Sequence, residues 1–398
     1  MKITFVANAA WYLSNFRSST VRAFSKRFYV SCLYPKGDSG KSLISLGAQI
    51  QPFILDPTST NLLREFKSLL CLTWYVARQR PNMVFSFNPK TNLYSLITCW
   101  LLRIPCVPNV SGVGVASQLE GVVGKIYQIL VGFFYKHAFF VFFQNRNDYQ
   151  DFIQAGWVKP SQAEIIPGSG VDLLRFRPCE KSNSPIRFLM ASRLIKSKGV
   201  VEYIEAARRL VANDVGCEFI LAGVKDSSSR AVSNDLLEGL KTENRIRFLG
   251  HIEDMPSLLN TVDCVVLPSY YPEGVPKSLI EAAASGKIII TTDTPGCRDT
   301  VIEGENGFFV PPKSIDGLCE GMQKVLGLSD GEMRRMKHAS RLLAENLFDE
   351  KTVIQRYFNA VELLEVKRGG NKGQSDEVVA GEREGVDSAY KCTTREVV

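Results

Sequence analysis

Glu273-Gly-Val-Pro-Lys-Ser-Leu-Ile-Glu281 sets two carboxylates eight positions apart with a Gly-x-Pro turn between them. Proline suits a helix start, because its missing N–H is one of the donors left over there and its φ is already helical. The spacing predicts a helix from near Pro276, with Glu281 roughly a turn and a half inside it. Glu273 then stays on the loop beyond the predicted strand Cys264–Leu267. One carboxylate can accept from hydroxyls at one end of a ligand and the other from hydroxyls at the opposite end. Between them the N–H groups of Gly274, Val275 and Lys277 face an anion. A sugar, a diphosphate and a ribose laid in a row fit this pattern.

An acidic loop before an ordinary amphipathic helix would show the same letters, so a second signal matters. Ser192-Arg-Leu-Ile-Lys-Ser-Lys-Gly199 follows the apolar run Ile186–Ala191 and opens a predicted helix, Val200–Leu210. On such a strand-to-helix connection Arg193 offers a fixed fork of donors and Lys198 a mobile point charge, a combination suited to a diphosphate.

Short apolar runs alternate with helical stretches along the whole chain. Ile3–Ala7, Val30–Tyr34, Met83–Phe87, Cys106–Val110 and Phe140–Gln144 are the predicted strands of the first half. Ile186–Ala191, Glu218–Ala222, Ile246–Leu249, Cys264–Leu267 and Ile288–Thr292 are those of the second. Continuously apolar strands separated by helices imply α/β architecture, with parallel sheets covered on both faces. Two such blocks imply two Rossmann-like domains, with the break expected at Pro178–Pro185. Arg193, Gly250, Glu273 and Asp293 all fall just past strand ends, where ligands of such sheets gather.

The ordered set of motifs resembles the retaining glycosyltransferases of family 4. Its members are the S-R-x-x-x-x-K-G run at Ser192, Phe248-Leu-Gly250, and E-G-x-P-x-x-x-x-E at Glu273. Gly168-Ser-Gly-Val-Asp-Leu-Leu-Arg-Phe-Arg-Pro178, Pro295-Gly296 and Glu303-Gly-Glu-Asn-Gly-Phe-Phe-Val310 complete it. The resemblance spans Met1 to Val366 and implies a GT-B fold, two Rossmann-like domains whose parallel sheets face across a cleft. Residues 1–178 would bind the acceptor and 179–350 the nucleotide sugar. A helix over 351–366 would cross back to the first domain, and 367–398, polar and Gly-rich, would be a disordered tail.

Two departures narrow the resemblance. The usual glycine loop after the first strand is Ala7-Asn-Ala-Ala10 here. Where many members carry a His, this chain has Pro108-Asn-Val-Ser-Gly-Val-Gly114. That segment and Asn8-Ala-Ala-Trp-Tyr-Leu-Ser-Asn-Phe-Arg17 resemble the polysaccharide and O-antigen enzymes of the family.

Composition excludes other classes. The 398 residues, 45% hydrophobic and 22% charged, suit two globular domains. No short apolar leader with a small-residue cleavage site opens the sequence. The ten cysteines are scattered without CxxC spacing, as expected of buried thiols in a reducing compartment. No DxD, Walker loop or complete dinucleotide fingerprint is present, and the three histidines (137, 251, 338) are far apart. No metal site is expected. Residues 1–185 carry 20 Lys and Arg against 9 Asp and Glu, whereas 186–398 carry 28 against 32. The basic half suits an anionic partner such as a membrane surface. Val122–Phe143 is interrupted by Lys125, Gln128, Lys136 and His137, so a helix over Leu119–Tyr135 leading into a strand is expected instead of a span. Asn61–Arg80 reads as an amphipathic helix able to lie on an anionic bilayer or to pack on the sheet.

The resemblance implies transfer of a hexose or N-acetylhexosamine from a UDP-sugar, with retention, to a polyprenyl-diphosphate-linked saccharide in surface polysaccharide synthesis. Arg193, Lys198 and Glu273 would be catalytic. Gly250, His251, Ile252, Gly274, Val275, Pro276, Lys277 and Glu281 would bind the donor. Asn8, Tyr12, Asn15, Arg17, Ser111, Gly112 and Asn145 would line the acceptor side. The enzyme would need no cofactor or metal and would sit on the inner face of the cytoplasmic membrane. A soluble acceptor, a nucleotide-sugar epimerase and a basic nucleic-acid-binding α/β protein are the alternatives. No nucleic-acid partner is expected, since no aromatic and basic reading motif is present.

Overall fold

The computed structural model describes residues 1–37, 39–56, 61–112, 121–179, 185–213, 216–226 and 230–369. Val113, Gly114 and Leu119, and the expected tail beyond Gly369, lie outside the described residues. The chain divides into two compact units. One holds Met1–Ser169 together with the helix Glu350–Arg368, and the other Gly170–Asp349.

The first unit is built on seven parallel strands: β1 (Lys2–Val6), β2 (Tyr29–Pro35), β3 (Gln49–Phe53), β4 (Met83–Phe87), β5 (Cys106–Val110), β6 (Val141–Phe143) and β7 (Ala163–Ile165). Their order is β3-β2-β1-β4-β5-β6-β7. The central strands β4, β5 and β6 are buried at every position, which is why they read as unbroken apolar runs. One face of the sheet is covered by the helices Leu62–Gln79, Pro89–Leu102 and Gly121–Lys136, and the other by Ala10–Phe16, Ser18–Ser25 and Glu350–Arg368. That last helix is locked in by aromatics. Phe358 stacks on Phe24 with centroids 4.4 Å apart, and Tyr357 meets Phe142 edge-on at 4.9 Å.

The second unit has six parallel strands: β8 (Ile186–Ala191), β9 (Cys217–Ala222), β10 (Ile246–Gly250), β11 (Cys264–Leu267), β12 (Ile288–Thr292) and β13 (Gly307–Val310). They follow the order β10-β9-β8-β11-β12-β13. Both sheets are thus Rossmann-like, with the chain reversing direction of travel between β1 and β4 and between β8 and β11. All ten expected strands are present. The three additional ones, β3, β7 and β13, are sheet edges. Pro52 interrupts β3, β7 is three residues long, and neither carries the continuous apolar run of a doubly covered strand.

The first unit ends at Ser169, ahead of the expected break at Pro178–Pro185. The segment after Ser169 is tied to the second unit's own core. Val171 N–H donates to the Phe348 carbonyl at 2.8 Å, and the Arg341 guanidinium donates to the carbonyls of Phe176 at 2.7 Å and Leu173 at 3.3 Å.

Candidate functional site

The second unit's site forms where its strand order reverses, at the carboxyl ends of β8 and β11. The loops leaving these two strands are stitched together. Tyr270 N–H donates to the Ser197 carbonyl at 2.9 Å. Gly199 sits at φ +79°, and a Cβ there would lie 2.4 Å from the Pro268 carbonyl oxygen. Only glycine allows this closeness, and it brings the Lys198 turn against the loop carrying Glu273. On the neighbouring strand, Gly223 N–H donates to the Gly250 carbonyl at 2.7 Å.

Lys198 and Glu273 form an ion pair, Nζ to Oε1, with both side chains about nine-tenths buried. The Ser269 hydroxyl donates to the same Oε1 at 2.9 Å. The Tyr271 ring lies 5.7 Å from Lys198 Nζ and 5.9 Å from the Arg193 guanidinium, so one aromatic ring is within cation–π range of both cations. Arg193 reaches Asp226 at 3.6 Å with its side chain 47% exposed, a loose pairing that leaves the fork accessible. Cys297 is buried beside this cluster. Burial pushes its thiol up to about 11, with the Glu273 carboxylate adding to the effect, so it stays protonated.

Helix starts at Lys277, with Pro276 as the residue before it in extended conformation (φ −63°, ψ 123°). Proline thus caps the helix and does not fill its first position. The N–H groups of Gly274, Val275 and Ser278 donate no hydrogen bond among the described residues. They are donors of the kind that bind a phosphate at a helix start. Gly296, at φ +81°, holds this turn in place, since a Cβ on it would fall 1.4 Å from the Gly274 carbonyl oxygen. Lys277 Nζ donates to the Gly170 carbonyl at 3.4 Å. Glu281 lies one turn further in, half-buried, and its carboxylate accepts no hydrogen bond from a described residue. Burial raises its pKa, against the lowering influence of Lys277 and Arg175. Beyond β10, Gly250 adopts φ +68°, His251 is exposed, and Ile252 packs on the unit's core.

The structure therefore gathers Lys198, Glu273, Gly274 and Arg193 around the loops after β8 and β11. Asp226, Ser269 and Tyr271 join them and were not anticipated. No spacing rule links these three to Lys198 or Glu273; only the stitching of separate loops brings them there.

In the first unit the equivalent reversal lies between β1 and β4. Asn8 N–H donates to the Asn88 side chain at 3.3 Å, and Asn88 itself adopts φ +75° ahead of the helix Pro89–Leu102. Tyr12 is half-buried, its ring stacked 5.1 Å from Phe16. Asn15 is exposed and bonds back to the Trp11 carbonyl at 2.9 Å. Arg17, expected to line the acceptor side, is 1% exposed, its guanidinium 4.9 Å from the Phe87 ring centroid and 5.6 Å from that of Tyr357. Asn145 caps the helix Arg146–Gln154, accepting from Asp148 N–H at 2.8 Å. Ser111 is half-buried and Gly112 lies at φ +91°. A buried polar relay runs beneath: Gln144 donates to Asn109 at 2.9 Å, and Asn109 donates to the Tyr357 hydroxyl at 2.6 Å. Among the described residues, no cluster of three or more His, Cys, Asp or Glu is arranged to hold a metal.

Two Rossmann-like units, with cations and a helix start at the switch point of the second, define the GT-B fold class. Residues 175–342 match the family model "Glycosyl transferases group 1", so the second unit carries a domain of that family. The chain is 26% identical over 379 residues to the N,N'-diacetylbacillosaminyl-diphospho-undecaprenol alpha-1,3-N-acetylgalactosaminyltransferase of Campylobacter jejuni, covering 90% of this chain and 97% of that one. It is 26% identical over 307 residues to the UDP-Gal:alpha-D-GlcNAc-diphosphoundecaprenol alpha-1,3-galactosyltransferase of Escherichia coli, covering 72% and 78%. In fold it is similar to Anabaena Alr3699/HepE, solved in complex with UDP and glucose, at a TM-score of 0.74 and 19% identity over 91% of this chain and 99% of that one.

Proposed function

We propose that this chain is a retaining, family-4-like glycosyltransferase that moves a hexose or N-acetylhexosamine from a UDP-sugar to a polyprenyl-diphosphate-linked saccharide in surface polysaccharide assembly. The observation that carries this reading is the buried Lys198–Glu273 pair, set beside the unpaired N–H groups of Gly274 and Val275. Cation, carboxylate and helix start then meet one ligand that is anionic in the middle and hydroxylated at its ends. The activities of the two bacterial relatives, both on undecaprenol-diphosphate-linked sugars, support the acceptor class.

Chemically, the acceptor hydroxyl attacks the anomeric carbon from the face the diphosphate leaves. The carbon–oxygen bond to the diphosphate breaks, and a phosphate oxygen takes the hydroxyl proton. Arg193, Lys198 and the helix-start N–H groups stabilise the charge gathering on the departing diphosphate. Glu273, fixed by Lys198 and Ser269, holds donor-sugar hydroxyls. Glu281 takes the ribose hydroxyls, and the backbone around Gly250, His251 and Ile252 meets the base. Asn8 and Tyr12 stand on the acceptor side. The charge stabilisation comes from protein groups, so we expect no metal requirement.

Thermal unfolding with UDP, GDP or ADP, with and without EDTA, tests the reading. A ligand that binds only the folded state at about a hundred times its Kd stabilises by about 2.7 kcal/mol. UDP alone is expected to do so, whether or not EDTA is present. Glu281→Gln removes a charge that burial disfavours, so the ligand-free variant should melt higher while its response to UDP shrinks. A UDP response undiminished in Glu281→Gln, or no response to any nucleotide, sinks the donor assignment.

A further inference from the structure

The outer surface of the first unit's helical layer carries an apolar strip that the site does not use. The helix Pro89–Leu102 packs on both Leu62–Gln79 and Gly121–Lys136. All three send residues into one core, among them Leu72, Leu96 and Val131, so they form one layer on the sheet. On Leu62–Gln79, Leu62, Phe66, Leu70 and Trp74 recur every fourth residue, the interval of a single stripe, and are 53% or more exposed. On Gly121–Lys136, Ile126, Ile129 and Phe133 repeat at helical spacing and are likewise exposed. Trp100 and Leu101 end the middle helix, and the Trp100 ring lies 5.7 Å from Phe133. Ten of the seventeen exposed large hydrophobic side chains among the described residues sit on these three helices, a concentration that scattered surface residues do not produce.

Cations rim the strip. Lys67 and Arg78 stand exposed on the first helix, where Arg64 pairs with Asp56 at 3.7 Å, and Lys125 and Lys136 on the third. The acid among these helices is Glu65, which is half-buried and held by Lys90 at 2.8 Å; the other two helices contain no Asp or Glu. No helix of the described residues is long and apolar enough to cross a membrane. An apolar stripe with tryptophans and a one-sign basic rim complements an anionic lipid interface. A second copy docking on the same face would bring like-charged rims together, which opposes that occupant.

We infer that this face docks on an anionic lipid bilayer, with Leu70, Trp74, Trp100 and Phe133 entering the headgroup boundary and the basic rim contacting lipid phosphates. The inference rests on the proposed lipid-linked acceptor for its setting, but its test does not depend on turnover. Full-length protein is sedimented with vesicles of phosphatidylcholine alone and with phosphatidylglycerol added, at low and high salt. Binding is expected only with phosphatidylglycerol, weakened by salt, and lowered about tenfold or more by Leu70→Glu/Trp74→Glu and by Lys67→Glu/Arg78→Glu. These substitutions are at exposed positions, so the melting temperature and the UDP response should be unchanged. Absence of vesicle binding, or binding indifferent to both variants, overturns the inference. So does a dimer in sedimentation velocity that Leu70→Glu/Trp74→Glu converts to monomer without any vesicle binding. A UDP response without vesicle binding retires the docking surface alone, whereas vesicle binding without a UDP response retires the transferase reading alone.

Discussion

Replacing Lys198 by Met strands the Glu273 carboxylate among buried groups. Both side chains are about nine-tenths buried, so solvent screens the pair little. Breaking a buried pair from one side costs about 3–5 kcal/mol, because a charge is left without compensation. The Ser269 hydroxyl still donates to Glu273 at 2.9 Å, which offsets about 1 kcal/mol. Lys198→Met should therefore destabilise the second unit by about 2–4 kcal/mol, or about 5–12 °C for a unit of this size. Glu273→Gln should cost less, since the Tyr271 ring at 5.7 Å still faces the ammonium. The double variant removes both charges and should be more stable than the sum of the singles predicts, with a coupling of about 1.5 kcal/mol or more. Urea unfolding followed by far-UV circular dichroism measures the cycle. All four tryptophans, Trp11, Trp74, Trp100 and Trp157, lie in the first unit, so their fluorescence serves as an internal reference. Additive singles, with coupling under about 0.5 kcal/mol, would refute the pair as the electrostatic centre of the site.

Gly296→Ala places a methyl 1.4 Å from the Gly274 carbonyl oxygen at φ +81°, so the backbone of the donor turn must move. A loss of about 2–4 kcal/mol and of the UDP-induced melting shift is expected, and a variant that keeps the UDP shift contradicts the role given to this turn. In the first unit, burial raises the Asp148 carboxyl to about 6, against the hydrogen bond from Asn145. A carboxyl raised on folding stabilises the acid form, so stability falls as pH rises from about 4 through about 6, by up to about 3 kcal/mol. Asp148→Asn should flatten that slope in denaturant titrations and stabilise the protein near neutral pH; an unchanged slope argues against the carboxyl as its source.

The central strands were legible because burial on both faces forces continuous apolar runs such as Cys264–Leu267 and Ile288–Thr292. The edges β3, β7 and β13 were not, since an edge strand is short or partly polar and is defined by the neighbour it pairs with. The helix start near Pro276 followed from proline chemistry, although its place one residue before the helix depended on the loop geometry. Arg17 shows the reverse case. The resemblance implied that it lines the acceptor side, and only the structure shows that the aromatic packing of Phe87 and of Tyr357, from a helix far along the chain, buries it.

The sequence by itself determined two parallel α/β blocks and the residue types of a diphosphate-suited site, because strand burial, helix starts and close glycines are local requirements written in a few adjacent positions. Tertiary structure alone decided that Ser269 fixes Glu273, that Asp226 pairs with Arg193, and that Tyr271 underlies both cations. It also decided that three helices separated in the chain pack as one layer bearing exposed apolar side chains. Those relations join loops and helices across the sheet, and contact between distant segments follows from strand order and packing, which no local spacing encodes.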